Sequence, residues 1–136
     1  MKTAFFSLAL VISALSGGCP LPASDTTVRL VNDTSFPVEV RLFYGPNQNE
    51  VAATLELTGT EVTETVPANS SVTFARDCDD LQAIFIDNAD LRIIGGIGPS
   101  QSTNVFRDGS DFGCGDTLTF TFTTSNLLTE LEINFA

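Results

Sequence analysis

Thr117-Leu118-Thr119-Phe120-Thr121-Phe122-Thr123 alternates hydroxyl and large apolar side chains without a break. In an extended chain successive side chains point to opposite faces. This segment then presents Leu118, Phe120 and Phe122 on one side and four threonines on the other. β-branched and aromatic residues suit such a half-buried pleated surface. The same period of two recurs at Val38, Val40, Leu42 and Tyr44, between Glu39, Arg41 and Phe43. It recurs again at Leu131, Ile133 and Phe135, between Glu130, Glu132 and Asn134. No window of eleven residues carries a helical stripe with caps. The fold class expected is all-β.

Working outward, the pattern predicts strands near 26–32, 36–44, 50–57, 60–66, 70–76, 81–87, 90–95, 103–107, 116–124 and 128–135. Turn residues separate them: Asn32-Asp33-Thr34-Ser35, Gly45-Pro46-Asn47, Thr58-Gly59, Pro67-Ala68-Asn69, Asp87-Asn88, Gly95-Gly96, Asp108-Gly109 and Ser125-Asn126. Short strands at such spacing predict an antiparallel β-sandwich over residues 26–136. Ala83-Ile84-Phe85-Ile86 is apolar on both faces and belongs in the middle of a sheet. Ser125-Asn126 would turn the last two strands into a hairpin.

Two segments resemble recurring pieces of immunoglobulin-like and similar sandwiches. Val31-Asn32-Asp33-Thr34-Ser35-Phe36-Pro37-Val38-Glu39-Val40 resembles the approach to an inner strand of such folds. Val66-Pro67-Ala68-Asn69-Ser70-Ser71-Val72-Thr73-Phe74 resembles their turn into the next strand. The resemblance implies fold class and names no activity. There is no Trp to pin the core in the antibody manner.

The chain of 136 residues carries 17 acids and six basic residues, a net charge of −11, with no His. Its length suits one domain. Without Lys2, which falls in a removable leader, 17 acids face five Arg, a net −12. Such a surface repels phosphate backbones, so nucleic acid is not expected as a partner. It also repels an anionic bilayer, so membrane attachment would have to be lipidic. At 43% hydrophobic, the chain can still bury a modest core.

After Met1-Lys2, Ala4 to Leu15 form an apolar run of twelve residues. That is too short to span a bilayer and fits the apolar helix of a signal peptide over residues 1–18. Ser16-Gly17-Gly18-Cys19 follows. Small residues before a Cys resemble the lipobox of bacterial lipoproteins. The resemblance implies cleavage before Cys19, diacylglycerol on its sulfur and an acyl chain such as palmitate on its amine. Leu15 stands four residues before Cys19 where the family pattern has Leu three before, so the lipobox is stretched. Ordinary signal peptidase cleavage is the competing reading, because Ser16 and Gly18 satisfy a small-x-small site. An uncut anchor is a third. Residues 19–25, with Pro20 and Pro22, read as a lipidated Cys and an extended tether. Pro20 in place of Asp after the Cys favours the outer membrane or its periplasmic face within the cell envelope.

Cys78 and Cys114 remain, and in an exported chain they are expected to pair, the alternative being two buried thiols. Closing a loop of 36 residues would stabilise by about 4 kcal/mol on the chain-entropy estimate. Pairing leaves Cys19 as the odd thiol, which lipidation would consume. The disulfide would also gather Asp77, Asp79, Asp80, Asp108, Asp111 and Asp116, oxygen donors that could hold Ca²⁺ weakly. Their other reading is solvated turn acids.

Catalysis finds little to work with: no His, and no Lys beyond the leader, to activate a nucleophile. Asn32-Asp33-Thr34 and Asn69-Ser70-Ser71 match the N-glycosylation pattern, which matters only in a eukaryotic secretory pathway. The function expected is a lipid-anchored envelope protein with a structural or binding role, not an enzyme, with no cofactor other than weakly held Ca²⁺. A binding subunit using a sheet edge or Ca²⁺, and a minor Asp-based hydrolase, are the alternatives. The protein partner stays open.

Overall fold

A computed structural model describes residues 24–126 and 130–136. The expected signal peptide and Cys19 lie outside the described residues. Of the expected tether, only Ser24 and Asp25 are described, and Asp25 already opens the first strand.

The elements follow in the order β1 (Asp25–Asn32), β2 (Val38–Gly45), α1 (Ala52–Thr58), β3 (Thr60–Val66), β4 (Ser70–Asp77) and β5 (Ala83–Leu91). Then come β6 (Ser100–Gln101), β7 (Phe106–Arg107), β8 (Thr117–Asn126) and β9 (Glu130–Phe135). They form two sheets. One has the order β4-β1-β8-β9; the other has β3-β2-β5, with β6 and β7 along the far edge of β5. The all-β sandwich is therefore present, and the alternating residues face each other across it. Val28, Leu30, Leu118, Phe120 and Phe122 of the first sheet bury against Val38, Val40, Leu42, Ile84 and Ile86 of the second. Phe106 stacks on Phe135 with ring centroids 3.9 Å apart, and Phe120 lies 5.2 Å from Phe135. Ala83-Ile84-Phe85-Ile86 is buried throughout in the middle of its sheet, as its two-sided apolarity predicted.

Four expectations change. First, not every pair is antiparallel. β1 pairs with β4 antiparallel and with β8 parallel, Leu30 opposite Phe120. Alternation decides which face is buried and does not encode strand direction.

Second, 50–57 is not a strand; Ala52–Thr58 is helix. Leu55 and Leu57 would share a face in a strand. Here Leu55 is 0% exposed and Leu57 is 86% exposed, as neighbours two apart on a helix must diverge. Ala, Leu and Glu are good helix formers, and seven residues are too few to show a period. Leu55 drops onto Phe43 and Phe85, on the outer face of the second sheet. That cover explains why Phe43 occupies an otherwise polar row.

Third, 81–87 and 90–95 are one strand up to Leu91. Asp87-Asn88 is not a turn. Arg41 opposes Asn88 and Leu42 opposes Ile86, which leaves Asp87 as the extra residue of a β-bulge. Asp87 accepts from Arg41 Nε at 2.8 Å. That hydrogen bond, and then the carboxylate charge, raise the Arg41 pKa above the ordinary arginine value.

Fourth, of 103–107 only Phe106–Arg107 joins the sheet. Thr103 instead satisfies the edge of β5 at mid-strand, its Oγ1 accepting from Ile86 N at 2.9 Å and its N–H donating to the Ile86 carbonyl. Ser125 and Asn126 end β8, which pairs antiparallel with β9; the residues joining these two strands lie outside the described ones.

Candidate functional site

Strand direction gives the sandwich two poles. β1 runs from the pole where the chain joins the domain, here the proximal pole, to the distal one. β8 runs with it, while β4, β2 and β5 fix which loops meet at each end.

At the proximal pole Cys78 is bonded to Cys114, with Cα atoms 5.4 Å apart, as expected. The bridge joins the end of β4 to the loop before β8. The Cys78 N–H donates to the Ser24 carbonyl at 2.7 Å, and Thr27 N to the Asp116 carbonyl at 3.0 Å. The disulfide therefore sits beside the first residues of β1. Buried Thr26 places its hydroxyl 3.5 Å from the Cys78 sulfur.

The six neighbouring aspartates do not converge. Asp77 Oδ1 accepts from the Asp79 N–H at 2.9 Å. Asp111 Oδ2 accepts from Arg107 N at 2.7 Å, and Asp116 Oδ2 from Gly113 N at 2.7 Å. These are turn-making bonds within each loop. Asp79 and Asp80 are exposed. Asp108 follows a strand end tied by its own N–H to the Gln82 carbonyl. Among the described residues no group of three or more His, Cys, Asp or Glu is arranged to hold a metal ion. A shallow cleft of about 360 Å³ nearby is lined by Gln48, Asn49, Arg107, Asp108, Gly109 and Ser110. Arg107 spends its guanidinium on the carbonyls of Glu50 (3.0 Å) and Val105 (3.5 Å). In that lining the Ser110 hydroxyl lies 3.4 Å from both the Arg107 carbonyl and Asp111 Oδ2.

The distal pole holds what sequence reasoning missed. Asn32 is fully buried. Its Nδ2 lies 2.8, 3.0 and 3.1 Å from the carbonyls of Phe36, Val66 and Pro67. Its Oδ1 accepts from Thr34 N at 2.9 Å and sits 2.7 Å from the Thr34 hydroxyl. The Thr34 carbonyl in turn accepts from Asn69 N at 3.1 Å. The two segments with sandwich-like sequence are thus clipped together through one side chain. With its amide so engaged, Asn32 presents no acceptor site for a glycan in the folded protein. A polar residue at an inward-facing strand position, followed two residues later by Thr, was the available signal.

Beside this hub, the loop from Arg92 to Pro99 is tightly held. Arg92 N donates to the Pro37 carbonyl at 2.8 Å, Leu91 N to Pro99 at 3.0 Å and Gly96 N to Ile93 at 2.8 Å. The Arg92 guanidinium reaches the Gly96 carbonyl at 3.2 Å and Glu39 at 2.7 Å, with Asp90 at 3.8 Å. Gly95 and Gly96 take φ of 89° and 75°, the left-handed region open to glycine. A Cβ on Gly98 would collide with the Leu91 carbonyl. This frame leaves Ile94 91% and Ile97 83% exposed at the tip. A polar cleft of about 220 Å³ adjoins it, lined by Glu39, Arg41, Thr63, Asn88 and Asp90.

The described residues define a small, disulfide-stapled all-β sandwich. No protein-family model and no curated protein matches the sequence. Among solved structures, the chain is similar to one described as "NMR structure of the protein from Eubacterium rectale". That likeness has 14% identity and a TM-score of 0.46, covering 81% of this chain and 88% of that one. It is also similar to one described as "Trapped Toxin", at 10% identity and a TM-score of 0.44, covering 84% of this chain but 24% of that one. Likenesses at this level carry no functional argument.

Proposed function

We propose that the protein is a lipid-anchored component of a bacterial cell envelope, with a structural or binding role and no catalytic activity. The observation that supports this reading best is the cysteine pairing. Cys78 and Cys114 are bonded to each other at the proximal pole, so Cys19 is the odd cysteine of three. It stands directly behind an apolar run and small residues, where lipidation would consume the thiol. The position of Ser24 agrees with an anchor: the chain joins the domain beside the disulfide, on a central strand gripped from both sides. The finer fold reading, immunoglobulin-like or a similar sandwich, rests on the two segments that Asn32 links.

The experiment is Cys19→Ser with membrane fractionation, alongside mass spectrometry of the mature N-terminus. Release of the variant into the soluble envelope fraction and a lipid mass on Cys19 are expected. An unmodified Cys19, or unchanged fractionation of the variant, overturns the reading.

A further inference from the structure

Ile93-Ile94-Gly95-Gly96-Ile97-Gly98-Pro99 contains no polar side chain. Its tip is not slack chain: backbone bonds and Arg92 fix it, with two isoleucines almost wholly in water. Holding large apolar side chains out on a braced loop is unfavourable unless something covers them.

Two isoleucines fall far short of the roughly 800 Å² per partner that a stable protein interface buries, so a second copy is not held by this tip alone. The loop's own side chains, apolar from Ile93 to Pro99, offer no polar group to select a protein partner. Arg92, at the foot of the loop, is already paired with Glu39 and Asp90. A small, neutral, apolar projection suits a medium that is apolar and unselective.

We propose that the Ile94–Ile97 tip docks into a zwitterionic lipid surface as a second contact, beside the lipid on Cys19. The proposal rests on the anchored reading above. Five residue steps from Cys19 to Ser24 span at most about 18 Å. β1 alone runs about 26 Å from the proximal to the distal pole. An upright domain would hold the tip well clear of the bilayer. A domain lying on its side brings both poles to the surface. The tether then needs to cover only half the thickness of two sheets packed about 10 Å apart, with their side chains. Two weak membrane signals on one protein reinforce each other, because the first confines the second near the surface. The net charge of −12 makes an anionic surface unfavourable, so the lipid is one without net charge.

The test uses the full chain, lipidated at Cys19 as verified by mass spectrometry, in phosphatidylcholine vesicles. The protein has no Trp, so Ile97→Trp supplies a single reporter. Its emission should shift to the blue and be quenched by brominated acyl chains. Thr73→Trp, at an exposed position on the outward face of the other sheet, should be unaffected. Adding Ile94→Ser to the Ile97→Trp protein should lower the docking equilibrium about tenfold or more. Admixed phosphatidylglycerol should lower it as well.

Vesicle-bound, lipidated protein whose reporter at position 97 stays in water overturns the inference and leaves the anchor standing. An unmodified Cys19 overturns both. Equal quenching at the two reporter positions means general adsorption, and a concentration-dependent blue shift without vesicles means self-association; either result refutes tip docking.

Discussion

Replacing Asn32 with Ala removes the clip between the β1–β2 and β3–β4 connections, and its cost follows from the bonds lost. The Val66 carbonyl and the Thr34 N–H are buried, and each loses its Asn32 partner. The Phe36 and Pro67 carbonyls are only partly buried, and Phe36 keeps the Thr34 hydroxyl 2.8 Å away, so these two suffer less. A buried polar group left unpaired costs about 1–3 kcal/mol. Two such groups plus the lost packing give about 4 kcal/mol, a large share of the roughly 5–15 kcal/mol that holds a domain folded. With a urea m-value of about 2 kcal/mol/M, the midpoint should fall by about 2 M with its slope unchanged. Circular dichroism in urea reads this directly. Asn32→Asp tests the geometry further: it keeps the acceptor for Thr34 but sets a carboxylate against three carbonyl oxygens, and should cost at least as much. A midpoint shift below about 0.5 M in Asn32→Ala would mean that water or neighbouring groups replace these bonds, and the hub would then be dispensable.

Cys78→Ser, or reduction of the native protein, should cost about 2–5 kcal/mol in the same urea assay, and non-reducing peptide mapping should recover Cys78 linked to Cys114. Millimolar Ca²⁺ should raise the melting temperature no more than NaCl of equal ionic strength, because Asp77, Asp111 and Asp116 each accept from their own loop and no three acids converge among the described residues; scanning calorimetry that found a Ca²⁺-specific rise would contradict this. Leu55→Ala should destabilise by about 2–5 kcal/mol, since the side chain fills the space under α1, while Leu57→Ser two residues on should stay within about 0.5 kcal/mol; thermal melts followed by circular dichroism separate them.

The sequence alone determined that this is an all-β sandwich, which residues of β2, β8 and β9 face inward, and which cysteines pair. Those properties are local or arithmetical. Alternation with period two states burial residue by residue, and an odd count of three cysteines leaves one to be explained. Other properties belong to pairs of distant segments, and only the tertiary structure decided them. Leu55 and Leu57 read as one strand face until Phe43 and Phe85 offered a surface that one of them alone could cover. Asp87-Asn88 read as a turn because Asp and Asn favour turns; the register against β2 made it a bulge. The aspartates around Cys78 and Cys114 shared a neighbourhood on paper, yet Asp77, Asp111 and Asp116 each bond a backbone N–H of their own loop, and no three acids are arranged around one point among the described residues. Asn32 passed for a turn residue until the fold enclosed it among carbonyls some 34 residues away in sequence. Strand direction, and with it the placing of the Ile94–Ile97 tip at the pole opposite Ser24, leaves no trace in composition or period. It is set by which strands pair across the sheet, because hydrogen bonds between backbones are blind to side-chain identity.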